Sequence, residues 1–426
     1  MRRRKPPPVS APAEQTAPDP AGSRCRSAAA GTRGPSRRKA PRGRSPAAPS
    51  GAAVPLPSPG RRRRLRRRLL EWFRQHRRDL PWRRTRDPYA VWVAEVILQQ
   101  TQAATAVGYY ERFLARFPTV TDLARAPREA VLKVWEGLGY YRRAANLHEA
   151  ARRVVRQHGG RVPDDPAAFA RLPGVGRYTC GAVLSIAFGR RLAAVDGNAE
   201  RVLARWFAID RPLGRAQVRR DLWRLAEALV PADDPGGWNQ AVMELGSRVC
   251  TPRRPGCLLC PVRRLCRAAR LGVAERLPVR PKRRPVPHIE VGAGIVWRRG
   301  RVLMCKRPEG KMLAGLWEFP GGKRRDGETI QECIRRELKE ECDLDVEVGD
   351  HLVDVTHTYS HLRVTLRCYH CRAPRGRVRA LAADEARWVR PEDIPRLPLP
   401  AADLKILLAL GIDPEAARRA TRGGEK

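Results

Sequence analysis

From Arg61 to about Ala269, apolar residues recur three and four positions apart, in blocks such as Leu69-Leu70-Trp72-Phe73 and Val91-Trp92-Val96-Ile97, with Gly and Pro between the blocks. That spacing gathers them on one face of a helical turn, so the region predicts an all-α domain of about ten short helices. Glu275–Pro287 (ERLPVRPKRRPVP) interrupts the pattern with Pro and basic residues and predicts a linker. Beyond it the period changes. Ile289–Arg307, Leu352–Val355 and Leu362–Cys371 read as strands, and a helix-like run follows Glu328, which together predict a second domain of α+β type. The expected organisation is a tail over 1–60, a helical domain over 61–274, a linker over 275–287 and a mixed domain over 288–415, without internal repeats.

Composition changes this picture at the N-terminus. Residues 1–60 hold 13 Pro, no aromatic residue, and 12 Lys or Arg against 2 acids. Such a segment has too little apolar surface to offset its ordering entropy, so a disordered basic tail is expected. Its charge suits non-specific attraction to DNA, and equally suits a solvated extension without function. A transit peptide fits the Arg and Ser content, but the Pro density opposes an amphipathic helix.

Across the 426 residues, 85 Lys and Arg against 44 Asp and Glu leave a charge of +41, which excludes an acidic solvating protein and points to a polyanionic partner. No apolar run approaches the eighteen or so residues of a membrane span, and the N-terminus lacks a signal-peptide core. The expectation is a soluble intracellular protein, cytoplasmic or nucleoid-associated as in bacteria, monomeric and without a membrane partner.

The 11 Cys do not form the even framework of a secreted scaffold. Cys250, Cys257, Cys260 and Cys266 have the spacing C-x6-C-x2-C-x5-C, and four thiolates within 17 residues can wrap one metal centre, a cluster or a structural zinc. The segment from Cys250 to Pro287 carries 11 Lys or Arg and one acid, a surface suited to phosphates. Cys25, Cys180, Cys305, Cys333, Cys342, Cys368 and Cys371 lack such a framework. Cys368 and Cys371 fall in a strand-like run that turns them to opposite faces, which reads as core packing.

Three further features carry chemistry. Leu172-Pro173-Gly174-Val175-Gly176 lies between helix-like runs: Pro stops the first, the glycines permit a tight turn, and the next helix N-terminus offers amide donors to a DNA phosphate. Asp196-Gly197-Asn198 precedes another helix, where Asp196 is a helix cap or something more. Glu95 sits among Val91, Trp92, Val96, Ile97 and Leu98, so it is either an acid with a raised pKa or a surface glutamate of an amphipathic helix.

Hairpin, Asp and four-Cys loop together match the signature of the endonuclease III superfamily of DNA repair glycosylases. The resemblance implies a helix–hairpin–helix domain with one four-iron four-sulfur cluster on Cys250, Cys257, Cys260 and Cys266. Where bifunctional members carry a lyase Lys, this chain has Tyr178, and no Lys occurs between Lys133 and Lys282, so base removal without strand cleavage is expected.

With LPWRR at Leu80–Arg84 and GLGYYRRAANL at Gly137–Leu147, the chain from about Leu69 to Leu277 resembles MutY-type adenine DNA glycosylases. That resemblance implies that Glu95 protonates a flipped adenine, that Asp196 stabilises the oxocarbenium-like sugar, and that Tyr178 bonds in the same pocket. It implies that Gln99, Gln100 and Tyr141 fill or wedge the opened duplex, that Gly174 and Gly176 hold the backbone, and that Leu80, Trp82, Arg83 and Gln240 line the adenine pocket. The implied partner is duplex DNA with adenine opposite 8-oxoguanine or guanine.

Gly322 to Glu341 reproduces the Nudix box (G-x5-E-x7-R-E-U-x-E-E-x-G-U), with Asp343 in place of its last Gly. Glu337, Glu340 and Glu341 share one helix face, where they either hold a divalent cation such as magnesium or form a charged surface paired with Arg336 and Lys339. Asp can adopt the left-handed backbone that Gly supplies at a helix end. In MutY-type enzymes the Nudix-fold domain reads 8-oxoguanine. The segment Tyr359-Ser360-His361 resembles that recognition loop, while the box points also to hydrolysis of oxidised nucleoside triphosphates, as in MutT-type enzymes.

Overall fold

The structure is a computed structural model and describes residues 53–279, 285–359, 362–373 and 375–415. Most of the expected basic tail and the centre of the expected linker therefore lie outside the described residues. Helix α1 spans Pro59–His76, starting two residues before the expected Arg61, because the Ser58 side chain accepts the Arg61 N–H and Pro59 supplies the first-turn proline. Val54 already packs against the helical core and its carbonyl accepts Arg224, so the helical domain begins ahead of the helix.

Eleven α-helices follow: α2 Pro88–Leu98, α3 Ala103–Arg116, α4 Val120–Arg125, α5 Arg128–Val134, α6 Arg142–His158, α7 Pro166–Ala170, α8 Arg177–Phe188, α9 Gly197–Trp206, α10 Ala216–Leu229, α11 Pro235–Arg248 and α12 Arg267–Arg270. The excess over the expected number comes from α4, α5, α7 and α12, which span less than two turns and show no readable period.

The helical domain has two cores. One gathers Trp92, Phe113, Phe117, Trp135 and Phe169 around α2, α3, α5 and α6; the other gathers Leu65, Leu69, Trp206, Leu225 and Trp238 around α1, α9, α10 and α11. Each fully buried Leu or Phe contributes roughly 1.5–3 kcal/mol. α8 runs between the cores. A Cβ on Gly181 of α8 would lie 1.9 Å from the Ala193 carbonyl oxygen, so this glycine lets α8 press against the segment that leads to Asp196. Leu277 is buried in the second core and Val279 packs on it, so the first residues of the expected linker belong to the helical domain.

The C-terminal domain is a mixed sheet of β1 His288–Arg298, β2 Arg301–Lys306, β3 Trp317–Glu318, β4 Gly321–Lys323, β5 Glu347–Thr358, β6 Arg363–Arg372 and β7 Glu385–Val389. Its order is β3-β2-β1-β6-β5, with β4 on β1 and β7 on β2; β1 and β6 run parallel, and the other pairs are antiparallel. Helix α13, Ile330–Cys342, covers one face and α14, Ala401–Ala409, the other. Cys368 and Cys371 are buried in the cores on opposite faces of β6, as the two-residue strand period requires. Asp343 ends α13 at φ 51°, ψ 39°, in the left-handed conformation expected of it. No helix among the described residues is long and apolar enough to cross a membrane.

Candidate active site

Nine consecutive residues of α2, Tyr89 to Ile97, are buried. Glu95 is one of them, only 5% exposed, so it is not the outer face of an amphipathic helix. The Tyr178 hydroxyl, on the first turn of α8, donates to Glu95 Oε2 at 2.6 Å and lies 3.5 Å from Met243 Sδ on α11. Burial raises the Glu95 carboxyl to about 7, the Tyr178 bond pulls against that rise, and the charge of Asp196 adds to it. A carboxyl in this state is still partly protonated at neutral pH, where an ordinary glutamate has lost its proton.

Asp196 caps α9 and does more. Its Oδ1 accepts the Ala199 N–H at 2.7 Å, while Oδ2 accepts the Asn198 amide at 2.8 Å. Burial pushes its pKa up and these bonds hold it down. Burial prevails, so the Asp196 carboxyl lies above its ordinary range, oriented by two donors and close enough to Glu95 to act on it. Behind it the buried Arg201 donates to Asn198 Oδ1 and the Gly246 carbonyl, both at 2.7 Å, and to the Cys250 carbonyl at 2.7 Å. The Asp196 turn and the four-Cys loop are thus fastened to one guanidinium.

The remaining expected residues divide. Gln99 ends α2 and its amide reaches Thr179 Oγ1 at 3.3 Å, next to Tyr178; Gln100 is exposed with φ 62°. Gly174 makes the hairpin turn at φ 76°, and Gly176 caps α8 without a side-chain bond, leaving the helix N–H groups open. Gln240 is half-buried on α11, one turn from Met243.

Leu80 and Trp82 are buried in the first core, and Arg83 is pinned to Glu244 Oε2 at 2.9 Å and to the Arg78 carbonyl at 3.1 Å. Only the charge of Arg83, which favours ionised Glu95, reaches the acid site. Tyr141, expected to fill or wedge the duplex, is turned inward. It is 4% exposed and its hydroxyl is bonded to main chain on both sides, so it has no face for DNA. The exposed neighbour is Tyr140, 44% exposed at φ 47°. In a YY pair the sequence does not tell which ring turns outward. Arg143, Arg201 and Glu244 were also missed, since a buried Arg or Glu looks like any surface charge until its partners are known.

Cys250, Cys257, Cys260 and Cys266 are free thiols that line one cavity with Arg205 and Trp206. Among the described residues no three His, Cys, Asp or Glu close on a point that would hold a single ion. Burial raises the Cys260 thiol to about 12 and also raises Cys257 and Cys266, each further raised by its neighbours' charge. The buried Arg205 donates to Cys250 Sγ at 3.2 Å and to carbonyls of Cys250, Thr251 and Leu277, and meets no carboxylate among the described residues. A buried cation among thiols favours their ionised, metal-holding form.

In the mixed domain Arg336 binds Glu328 at 2.6 Å, Glu337 at 2.7 Å and Glu340 at 3.2 Å. Glu341 is raised to about 7, by burial and then by the charges of Glu318 and Glu337. Tyr359 is half-buried and its ring meets that of His357, 4.5 Å between centroids; Ser360 and His361 lie outside the described residues.

Helical cores around a buried acid, hairpin and four-Cys loop define a helix–hairpin–helix base excision repair protein, and the sequence model of the "HhH-GPD superfamily base excision DNA repair protein" matches residues 93–228. That of the "NUDIX domain" matches residues 292–409. Within the superfamily, the chain belongs to the adenine DNA glycosylases. It is 38% identical to the mouse adenine DNA glycosylase over 417 residues, 85% of this chain and 80% of the mouse protein. It is 39% identical to the human one over 358 residues, 71% of this chain, and spans 65% of the human protein. A solved thermostable thymine-DNA glycosylase is 34% identical over 50% of this chain and 98% of its own, with TM-score 0.45.

Proposed function

We propose that the chain removes adenine from duplex DNA where it stands opposite 8-oxoguanine or guanine, and leaves the backbone uncut. The observation that carries this is the 2.6 Å bond from Tyr178 to a buried Glu95 held near neutrality. Glu95 donates its proton to the ring of a flipped adenine, which turns the base into a neutral leaving group. Asp196, oriented by its two donors, faces the positive charge that develops on the sugar. Tyr178 orients the acid and supplies no amine, so no Schiff base forms and strand cleavage has no nucleophile.

The open N-terminus of α8 behind Gly176 takes a phosphate, and Tyr140 rather than Tyr141 enters the duplex beside Gln99 and Gln100. A four-iron four-sulfur cluster on Cys250, Cys257, Cys260 and Cys266 would tie the basic loop into a DNA-docking surface. Tyr359, with Ser360 and His361, reads the opposite base. To test this, duplexes with adenine opposite 8-oxoguanine, guanine or thymine are incubated with the protein, and abasic sites are read with and without alkali. Breaks only after alkali, fastest opposite 8-oxoguanine, are expected; breaks without alkali contradict the monofunctional reading, and absence of abasic sites contradicts the whole.

The Nudix box favours a second reading, magnesium-dependent hydrolysis of oxidised nucleoside triphosphates on Glu337, Glu340 and Glu341. Pyrophosphate released from 8-oxo-dGTP, and lost in Glu340→Gln, would establish it; no release leaves the glutamates as an ion-pair network with Arg336.

A further inference from the structure

The mixed domain grips α5 and the loop after it. Lys306 Nζ and Trp317 Nε1 both donate to Glu129 Oε1, at 2.6 and 3.2 Å, and Leu316 is buried in the first helical core. At the end of this joint Leu399 is held twice. Its N–H donates to the buried Glu136 Oε1 at 2.9 Å, and its carbonyl accepts the Tyr141 hydroxyl at 3.1 Å. The same hydroxyl accepts the Gly137 N–H at 3.3 Å. Residues 136 and 141 bracket the loop that carries Tyr140, so one residue of the mixed domain fastens both ends of it.

The loop needs fastening. Gly137, Gly139 and Tyr140 stand at φ 92°, 68° and 47°, and a tyrosine keeps the left-handed conformation only where its surroundings impose it. On the other side Arg143 donates to the Leu138 and Gly139 carbonyls at 3.3 and 3.2 Å, to those of Val96 and Ile97 at 2.9 Å each, and to that of Gln99. The path from Leu399 therefore runs through the Tyr140 loop to the end of α2, the helix that presents Glu95. Tyr359 lies near enough to Tyr141 to add to the rise of its hydroxyl pKa, which puts the segment proposed to read the opposite base at the same joint.

We infer that Glu136 and Tyr141 form a latch by which the mixed domain holds the Tyr140 loop in its duplex-opening conformation, so that Tyr141 is a positioning residue for discrimination by the opposite base. This rests on the proposed reading that the mixed domain senses 8-oxoguanine. A ligand biases a two-state element only through its different affinity for the two states. An 8-oxoguanine held by the mixed domain fixes Leu399 against the loop, and guanine does so less. Losing the latch then removes the preference and spares the proton transfer.

The test uses the full chain in single-turnover excision of adenine opposite 8-oxoguanine and opposite guanine. Tyr141→Phe deletes only the hydroxyl and leaves the buried Leu399 carbonyl and the Gly137 N–H without their partner, so the ratio of the two rate constants should fall about tenfold. The fall should come from the 8-oxoguanine duplex, with the guanine duplex changed by less than about twofold. Glu136→Gln keeps an oxygen for the Leu399 N–H and should retain the ratio, whereas Glu136→Ala should lower it. A Tyr141→Phe enzyme with the wild-type ratio, or an equal fall on both duplexes, overturns the latch. Wild-type protein that excises from both duplexes at one rate overturns the base-reading domain and the latch with it, but not the adenine chemistry; wild-type protein that excises from neither overturns all three.

Discussion

Two glutamates in this molecule have pKa values raised to about 7, and their surroundings make them different instruments. Glu95 stands in an apolar helix with one hydroxyl donor at 2.6 Å and a second carboxylate that is itself held by donors. Glu341 stands among Glu318, Glu337, Arg307 and the backbone of Gly321, beside a box whose other carboxylates are clamped by Arg336. Burial is the leading cause in both. In the first case the outcome is a lone acid with a defined partner, ready to give up its proton. In the second it is a crowd of negative charge, which a divalent cation would relieve and an arginine partly does. A shifted pKa thus identifies a strained carboxyl, and only its neighbours say what the strain serves.

The largest expected effect breaks the comparison at its first member. Glu95→Gln keeps the shape and removes the acid, and single-turnover excision should fall by about 10^3-fold or more while DNA affinity in a gel-shift titration is retained. The same variant bears on stability with a defined sign. The folded protein keeps the Glu95 proton up to about 7 whereas the unfolded chain releases it near 4.5, so stability falls as pH rises through that window. Glu95→Gln should therefore gain on wild type by roughly 1–3 kcal/mol between pH 5 and pH 8, read from urea unfolding at both. An equal difference at the two pH values would place the Glu95 pKa in its ordinary range.

Tyr178→Phe removes the bond that pulls the Glu95 pKa down. The alkaline limb of the excision profile should move to higher pH, with a loss of about tenfold at its plateau. The smallest effect sharpens the second member: magnesium should raise the melting temperature of wild-type protein by a few degrees, roughly 1 kcal/mol by mass action, and not that of Glu337→Gln. A shift of the same size in both would mean that magnesium binds elsewhere.

Legibility followed period and spacing. Helical and mixed domains, the hairpin, the four Cys and Asp343 could be read because each depends on local residue order. Tyr140 against Tyr141 could not: they differ by 40 percentage points in exposure because the Tyr141 ring packs in the first helical core and its hydroxyl bonds to Leu399, 258 residues away. Arg201 and Arg143 were invisible for the same reason: their meaning lies in carbonyls of distant segments. Leu80, Trp82 and Arg83, expected at the adenine pocket, have side chains occupied by core packing and the Glu244 ion pair. The short helices α4, α5, α7 and α12 escaped because less than two turns cannot display a period.

The proposed proton donor for adenine release is the buried Glu95, part-protonated at neutral pH. It is tested most directly by the single-turnover rate of abasic-site formation, from pH 5 to 9, on a duplex with adenine opposite 8-oxoguanine. The rate should be level at low pH and fall tenfold per unit above about 7, with the break moved upward in Tyr178→Phe and the rate lowered by about 10^3-fold or more, without that break, in Glu95→Gln. A profile flat across neutrality, or the same break in the Glu95→Gln enzyme, would contradict it.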